Sequence, residues 1–139
     1  MNAAATEVRR TLLIVLLSHD SRTILLERGP DASTWLPLSI DVPSHRSYAQ
    51  VVHRWRQPRM RRASVTARMA TRVGHVRSDY RVVIFKLPQP ARSARFSPQA
   101  RWWPISDLET LPVFPQELGF LMTGYVQGWI PDGPITLNA

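Results

Sequence analysis

Residues 11–28, TLLIVLLSHDSRTILLER, are the stretch from which the fold is read. Thr11–Leu17 is a continuous run of mostly branched apolar residues, which predicts a strand buried on both faces. Ser18-His19-Asp20-Ser21 is a turn cluster, and Arg22–Arg28 predicts a second strand. The two make a hairpin with a loop of about four residues. Gly29-Pro30-Asp31 breaks the second strand.

Working outward, residues 1–10 contain Ala3-Ala4-Ala5 and no periodicity, and are expected to be a flexible lead-in, with a single domain over 11–139. Ser44 or Ser47 can cap a helix whose Tyr48, Val51, Val52 and Trp55 form one apolar stripe, with Pro58 at or just past its end. Ser64–Val73 alternates weakly as a strand, Gly74–Asp79 reads as a loop, and Tyr80–Leu87 (YRVVIFKL) is the clearest central strand. Pro88–Pro98 holds three prolines and is an exposed connection. Arg101–Ile105 predicts a short strand, and Ser106-Asp107-Leu108-Glu109 matches a capping box, predicting a short helix stopped by Pro112. From Gln116 to Trp129, Leu118, Leu121, Met122, Tyr125, Val126 and Trp129 share a helical face. Gly128 and Pro131 stand where that helix should end.

At 139 residues the chain is one domain by length. A chain of this size buries roughly 68–70% of its unfolded surface, enough for its own core. It has no cysteine, which excludes a disulfide scaffold, cysteine-ligated zinc and a thiol nucleophile. The longest apolar run, Leu12–Leu17, is far short of the roughly 20 residues of a membrane span. With no signal-peptide cleavage pattern, the expected setting is cytoplasmic and away from membranes. The net charge is +8, carried almost wholly by arginine, with Lys86 the one lysine. Nine arginines and one acid, Asp79, lie between His53 and Arg81, whereas Trp102–Ala139 has four acids and no base. The charge is therefore polar along the chain, with a basic middle.

The order RTILLER, Trp35-Leu36-Pro37, the helix around Trp55, YRVVIFKL, RWWPISDLETLP and a closing helix resembles the Nudix hydrolase family over most of the chain. The resemblance implies an α/β (α+β) fold, an α/β/α sandwich around a mixed sheet. It also implies where the family's chemistry would sit. The Nudix box, G-x5-E-x7-R-E-U-x-E-E-x-G-U, places several glutamates on one helix so that they hold magnesium, which neutralises a diphosphate and activates water. Anchored on Pro37, the family's two glycines fall at Leu38 and Ser39, its first glutamate at His45, and R-E-U-x-E-E on His53-Arg54-Trp55-Arg56-Gln57-Pro58. Only the apolar position survives, as Trp55. No acid occurs from Val42 to Ser78, and arginine, histidine and glutamine do not replace hard anionic ligands.

Four constellations remain. His45 and His53 are two helical turns apart, though no carboxylate stands near to orient either ring. His53, Arg54 and Gln57 would line the cleft where the family holds metal, and a guanidinium there would take phosphate directly by bidentate hydrogen bonds. Arg56, Arg59, Arg61 and Arg62 form a denser run suited to nucleic-acid phosphates or an acidic protein partner. Of Trp102 and Trp103, one should face the core and the other outward. A solvated basic surface reflecting coding bias accounts for the arginines about as well.

The expected function is a catalytically inactive Nudix-fold binding module, with no catalytic residue, no metal and no cofactor. It would sense a nucleotide-like phosphate ligand or join a protein assembly. The alternatives are an atypical Nudix hydrolase acting on a nucleoside diphosphate derivative and a nucleic-acid-binding accessory protein.

Overall fold

The computed structural model describes residues 7–138. Its centre is β1 (Glu7–Leu17), which lies parallel to β6 (Val76–Lys86) from Glu7 opposite Val76 to Leu17 opposite Lys86. This corrects two expectations. Residues 1–6 of the expected lead-in lie outside the described residues, but Glu7–Arg10 are strand, and so is most of the segment expected to be a loop at Gly74–Asp79. The reason is the turn between β5 (Arg61–Val73) and β6, where two residues suffice because Gly74 takes the positive φ of 61° that a tight hairpin demands. β6 therefore begins at Val76, and its polar first half pairs with the equally polar first half of β1, so each satisfies the other's backbone groups.

The predicted hairpin is present: β2 (Thr23–Arg28) runs antiparallel to β1 with Leu17 opposite Ile24, and Ser18 N–H donates to Thr23 O at 2.9 Å. β2 then leaves β1. The vacated edge of β1, Thr11 to Ile14, is taken by β4 (Leu38–Asp41), while β3 (Trp35–Leu36) and β7 (Ala100–Pro104) pair with β2. On the other side β5 lies between β6 and β8 (Gly133–Thr136). Parallel and antiparallel pairs coexist, so the sheet is mixed.

Alternation along the central strands splits the core in two. Leu12, Ile14, Leu16, Val83 and Phe85 face the layer of α1 (Tyr48–Trp55), and Leu13, Val15, Leu17, Val82 and Ile84 face that of α2 (Leu118–Gln127). The architecture is an α/β/α sandwich. Of the adjacent tryptophans, Trp103 packs on the α2 side, its ring 5.1 Å from that of Trp35, and Trp102 on the α1 side, its Nε1 donating to Ala91 O at 3.1 Å. They do point to opposite faces, but because both faces are covered each is half-buried and neither stands free.

α1 is capped by Ser47: its Oγ accepts from Gln50 N–H at 3.1 Å and Gln50 Oε1 accepts from Ser47 N–H at 2.8 Å. Val51 and Val52 are buried, and Trp55 is half-buried with its ring 5.7 Å from Phe85. The helix stops there because Arg56, with ψ of 126°, turns extended ahead of Gln57-Pro58. The expected capped helix at Ser106–Glu109 is instead a 3-10 turn over Ile105–Asp107. Ile105 N–H is still bound to Arg22 O beyond the end of β7, which leaves Ser106 inside the turn and not ahead of it. α2 is shorter than expected, since Gly128 (φ 78°) closes it after Gln127. Trp129 is consequently not core and stands outside the helix, edge-on to Phe120 at 4.9 Å; Val126, though still within α2, is not core either, and all three residues are exposed. No helix among the described residues is long and apolar enough to cross a membrane.

Candidate functional site

The departure of β2 from β1 opens a cleft of about 950 Å³ beside the strand that both had been sharing. Its floor is built by alternation: Arg9, Thr11 and Leu13 on β1, Ser39 and Asp41 on β4, Ser78 and Tyr80 on β6. The turn after β2 (Gly29–Asp31), Leu36 and Phe114 form its walls. Phe114 is fixed by backbone bonding to Trp35 O at 2.9 Å, and its ring stands edge-on to Tyr80 at 5.1 Å. The volume matches small-molecule sites, which pair apolar walls with a few convergent polar groups.

The charges around this cleft have different freedoms. Asp31 Oδ1 accepts from Ser33 N–H (3.1 Å) and Thr34 N–H (3.4 Å), and those bonds hold its carboxyl below the usual range. Asp41 is exposed at the end of β4 and has no ion-pair partner among the described residues. Arg9 lies 3.2 Å from Glu7 in an open pair that water screens. Arg10 is structural: its Nη2 donates to Pro43 O and, at 2.6 Å, to Arg46 O, and its guanidinium lies 5.5 Å from the Tyr48 ring. Arg81 lies 5.0 Å from that ring, and Tyr48 Oη donates to Asp79 O at 3.0 Å. Burial, with the Asp79 charge second, pushes the Tyr48 hydroxyl above its ordinary value.

The candidates read from sequence are placed elsewhere. His53 and Arg54 are exposed on the last turn of α1, and neither lines the cleft. Gln57 lies past the end of that helix, so it does not follow His53 by one turn, and its Oε1 accepts from Arg95 at 3.2 Å. Gln57 does not line the cleft either. His45 precedes α1 in a turn, so the two-turn spacing to His53 does not apply. Arg56 bonds Met60 O at 3.4 Å from the end of the helix, and Arg59 occupies a left-handed turn with φ of 68°. Arg61 and Arg62 open β5 and are brought together with Lys86 around a different cavity. Among the described residues no group of three or more His, Asp or Glu side chains lies close enough to share one metal ion.

No protein-family model matches the chain, and no curated protein matches it in sequence. Solved structures do match in shape. The Escherichia coli dihydroneopterin triphosphate pyrophosphohydrolase aligns with a TM-score of 0.62 at 12% identity, over 86% of this chain and 95% of that one. RenU, a Nudix hydrolase from M. smegmatis, aligns with a TM-score of 0.57 at 19% identity, over 91% and 88%. The fold is Nudix-like. The C-terminal domain of mouse MUTYH, solved with human PCNA, also shares this Nudix-like shape, with a TM-score of 0.58 at 20% identity over 89% and 92% of the two chains.

The cleft residues Arg9, Asp31, Asp41, Tyr80 and Phe114 were not singled out from sequence. They come from five separate segments, and only the i, i+2 spacing of Arg9, Thr11 and Leu13 hints that they share a face.

Proposed function

We propose that this Nudix-like domain is a binding module that holds a nucleotide-like ligand in the β1–β4–β6 cleft without magnesium-dependent hydrolysis. The observation that carries the reading is a mismatch: a ring-sized cleft is kept, while the chain has no carboxylate from Val42 to Ser78, a span that includes all of α1 and β5. Hydrolysis through a metal needs several anionic oxygens around it. Two acids line the cleft, Asp31 and Asp41, and among the described residues no third His, Asp or Glu joins them closely enough to share one metal ion. Tyr80 and Phe114 offer aromatic surface to a ring, and Asp31 and Asp41 accept from its N–H groups.

The relatives in shape include a dihydroneopterin triphosphate pyrophosphohydrolase and a Nudix hydrolase, so the direct competitor is an atypical hydrolase acting on a nucleoside diphosphate derivative. The deciding experiment measures phosphate release with magnesium or manganese across nucleoside di- and triphosphates, together with calorimetric titration of the same compounds. Binding without turnover is expected. Metal-dependent turnover of even about 0.1 per second, toward the slow end of ordinary enzymes, overturns the proposal in favour of the hydrolase.

A second reading, a component of a protein assembly, rests on Phe120 and Trp129, which stand exposed and in mutual contact on the outer side of α2. Paired exposed aromatics are what partner surfaces use. Co-purification of a partner that Trp129→Ala releases favours it.

A further inference from the structure

β5 does not run evenly beside β6. Arg62 faces Phe85, yet the next aligned pair is Thr66 with Val83, so β5 advances four residues while β6 advances two. The excess bulges out of the ladder. Between this bulge, the ends of β1 and β6 and the last turns of α2 lies a cavity of about 710 Å³. It is at the opposite end of the sheet from the cleft: it uses Leu17 and Lys86, where the cleft uses the first halves of the same two strands.

Its lining is one-sided in charge. Arg61, Arg62 and Lys86 contribute three cations, Ser21, Ser64 and Thr66 contribute hydroxyls, and no carboxylate lines it. The acid that touches a lining residue is Asp132, whose Oδ1 accepts from Ser64 Oγ at 2.7 Å. Arg61 and Lys86 sit directly across from one another in the ladder, a position in which like charges destabilise a sheet. None of the three cations has an ion-pair partner among the described residues. The one lysine of the chain thus closes a cluster that two arginines begin, across twenty-five positions of sequence. Beside the cations the cavity presents Leu17, Ala63, Val126 and the half-buried ring of Tyr125.

We propose that this cavity is a phosphate-binding site for a small organic phosphate. Its phosphoryl oxygens would bridge Arg61 and Lys86, which face one another across the ladder, and its carbon skeleton would lie against Tyr125 and Val126. The anion removes the repulsion between Arg61 and Lys86, guanidinium groups match phosphate in bidentate geometry, and the ammonium supplies a point charge. The site is independent of the β1–β4–β6 cleft.

The test titrates inorganic pyrophosphate, adenosine diphosphate and a short single-stranded oligonucleotide into the wild type, Arg61→Gln, Lys86→Met and the cleft variant Arg9→Gln, with calorimetry and thermal melts. Pyrophosphate and adenosine diphosphate should bind the wild type and raise its Tm. Affinity should fall about ten- to a hundredfold in Arg61→Gln and in Lys86→Met, as expected for the loss of one charge-assisted contact, and remain unchanged for pyrophosphate in Arg9→Gln. Without ligand, Lys86→Met should melt no lower than the wild type, because it removes a like-charge pair. Three results overturn the proposal: no pyrophosphate or adenosine diphosphate binding to wild type at about millimolar concentration, wild-type affinity in both Arg61→Gln and Lys86→Met, or binding of the oligonucleotide with neither small phosphate, which makes the patch a nucleic-acid surface.

Discussion

Replacing Arg10 by alanine should loosen the fold far more than its place near the chain start suggests. The guanidinium donates to Pro43 O and Arg46 O and lies over the Tyr48 ring, so one side chain of β1 ties down the loop from β4 to α1 and the first residue of that helix. A hydrogen bond involving a charged group contributes about 1.5–3 kcal/mol. Only the bond to Arg46 is partly buried, so the exposed bond to Pro43 is given about 0.5–1 kcal/mol. The aromatic contact adds about 0.5–1 kcal/mol. The sum is about 2.5–5 kcal/mol, and at roughly 3–4 °C per kcal/mol for a chain of this size Tm should fall by about 8–20 °C. Arg10→Lys should recover only part of this, because an ammonium is more strongly hydrated than a guanidinium and does not stack on the Tyr48 ring as a planar group does. Calorimetric melts of the three proteins measure the loss, and amide exchange should locate it in residues 43–50. If Arg10→Ala melts within about 1 °C of wild type, or if Arg10→Lys matches wild type, the tie is not what holds this loop.

Trp55→Ala should cost about 2–3 kcal/mol, below the roughly 3–5 kcal/mol of a fully buried aromatic, because the ring is only half-buried against Phe85; chemical denaturation reads the difference. Tyr48 should ionise above its ordinary value of 10.0, chiefly through burial. Above pH 10 the unfolded chain then releases a proton that the native one keeps, so stability is intact below that pH and falls as pH rises past it; Tyr48→Phe should lessen this fall, and ultraviolet titration should show one fewer late-ionising phenol. Arg54→Ala should leave stability within about 0.5 kcal/mol of wild type, as for a surface change, and leave ligand affinity in the cleft unaltered by calorimetry, since Arg54 is exposed and outside it.

Local pattern was enough for the elements whose burial is one-dimensional. The apolar run at Leu12–Leu17, the hairpin at Ser18–Ser21, the stripe of Tyr48, Val51, Val52 and Trp55, and the strand ending in Val82–Phe85 were all legible, because each writes its burial into its own spacing. The absence of carboxylates from Val42 to Ser78 was equally plain, and it bears on chemistry whatever the packing. Tertiary structure decided the rest. Glu7–Arg10 and Val76–Asp79 are too polar to announce strands, and they are strands because each completes the other's hydrogen bonds. Trp129 matches the helical period of α2 yet lies beyond it, since a left-handed Gly128 ends the helix first. The cleft exists because β1 exchanges β2 for β4 along its edge, and the basic cavity exists because a bulge brings Arg61 and Arg62 to Lys86. Spacing along a chain records which face a residue turns toward its own element's neighbours; it holds no record of which distant strand will lie there, and both candidate sites are made by that choice.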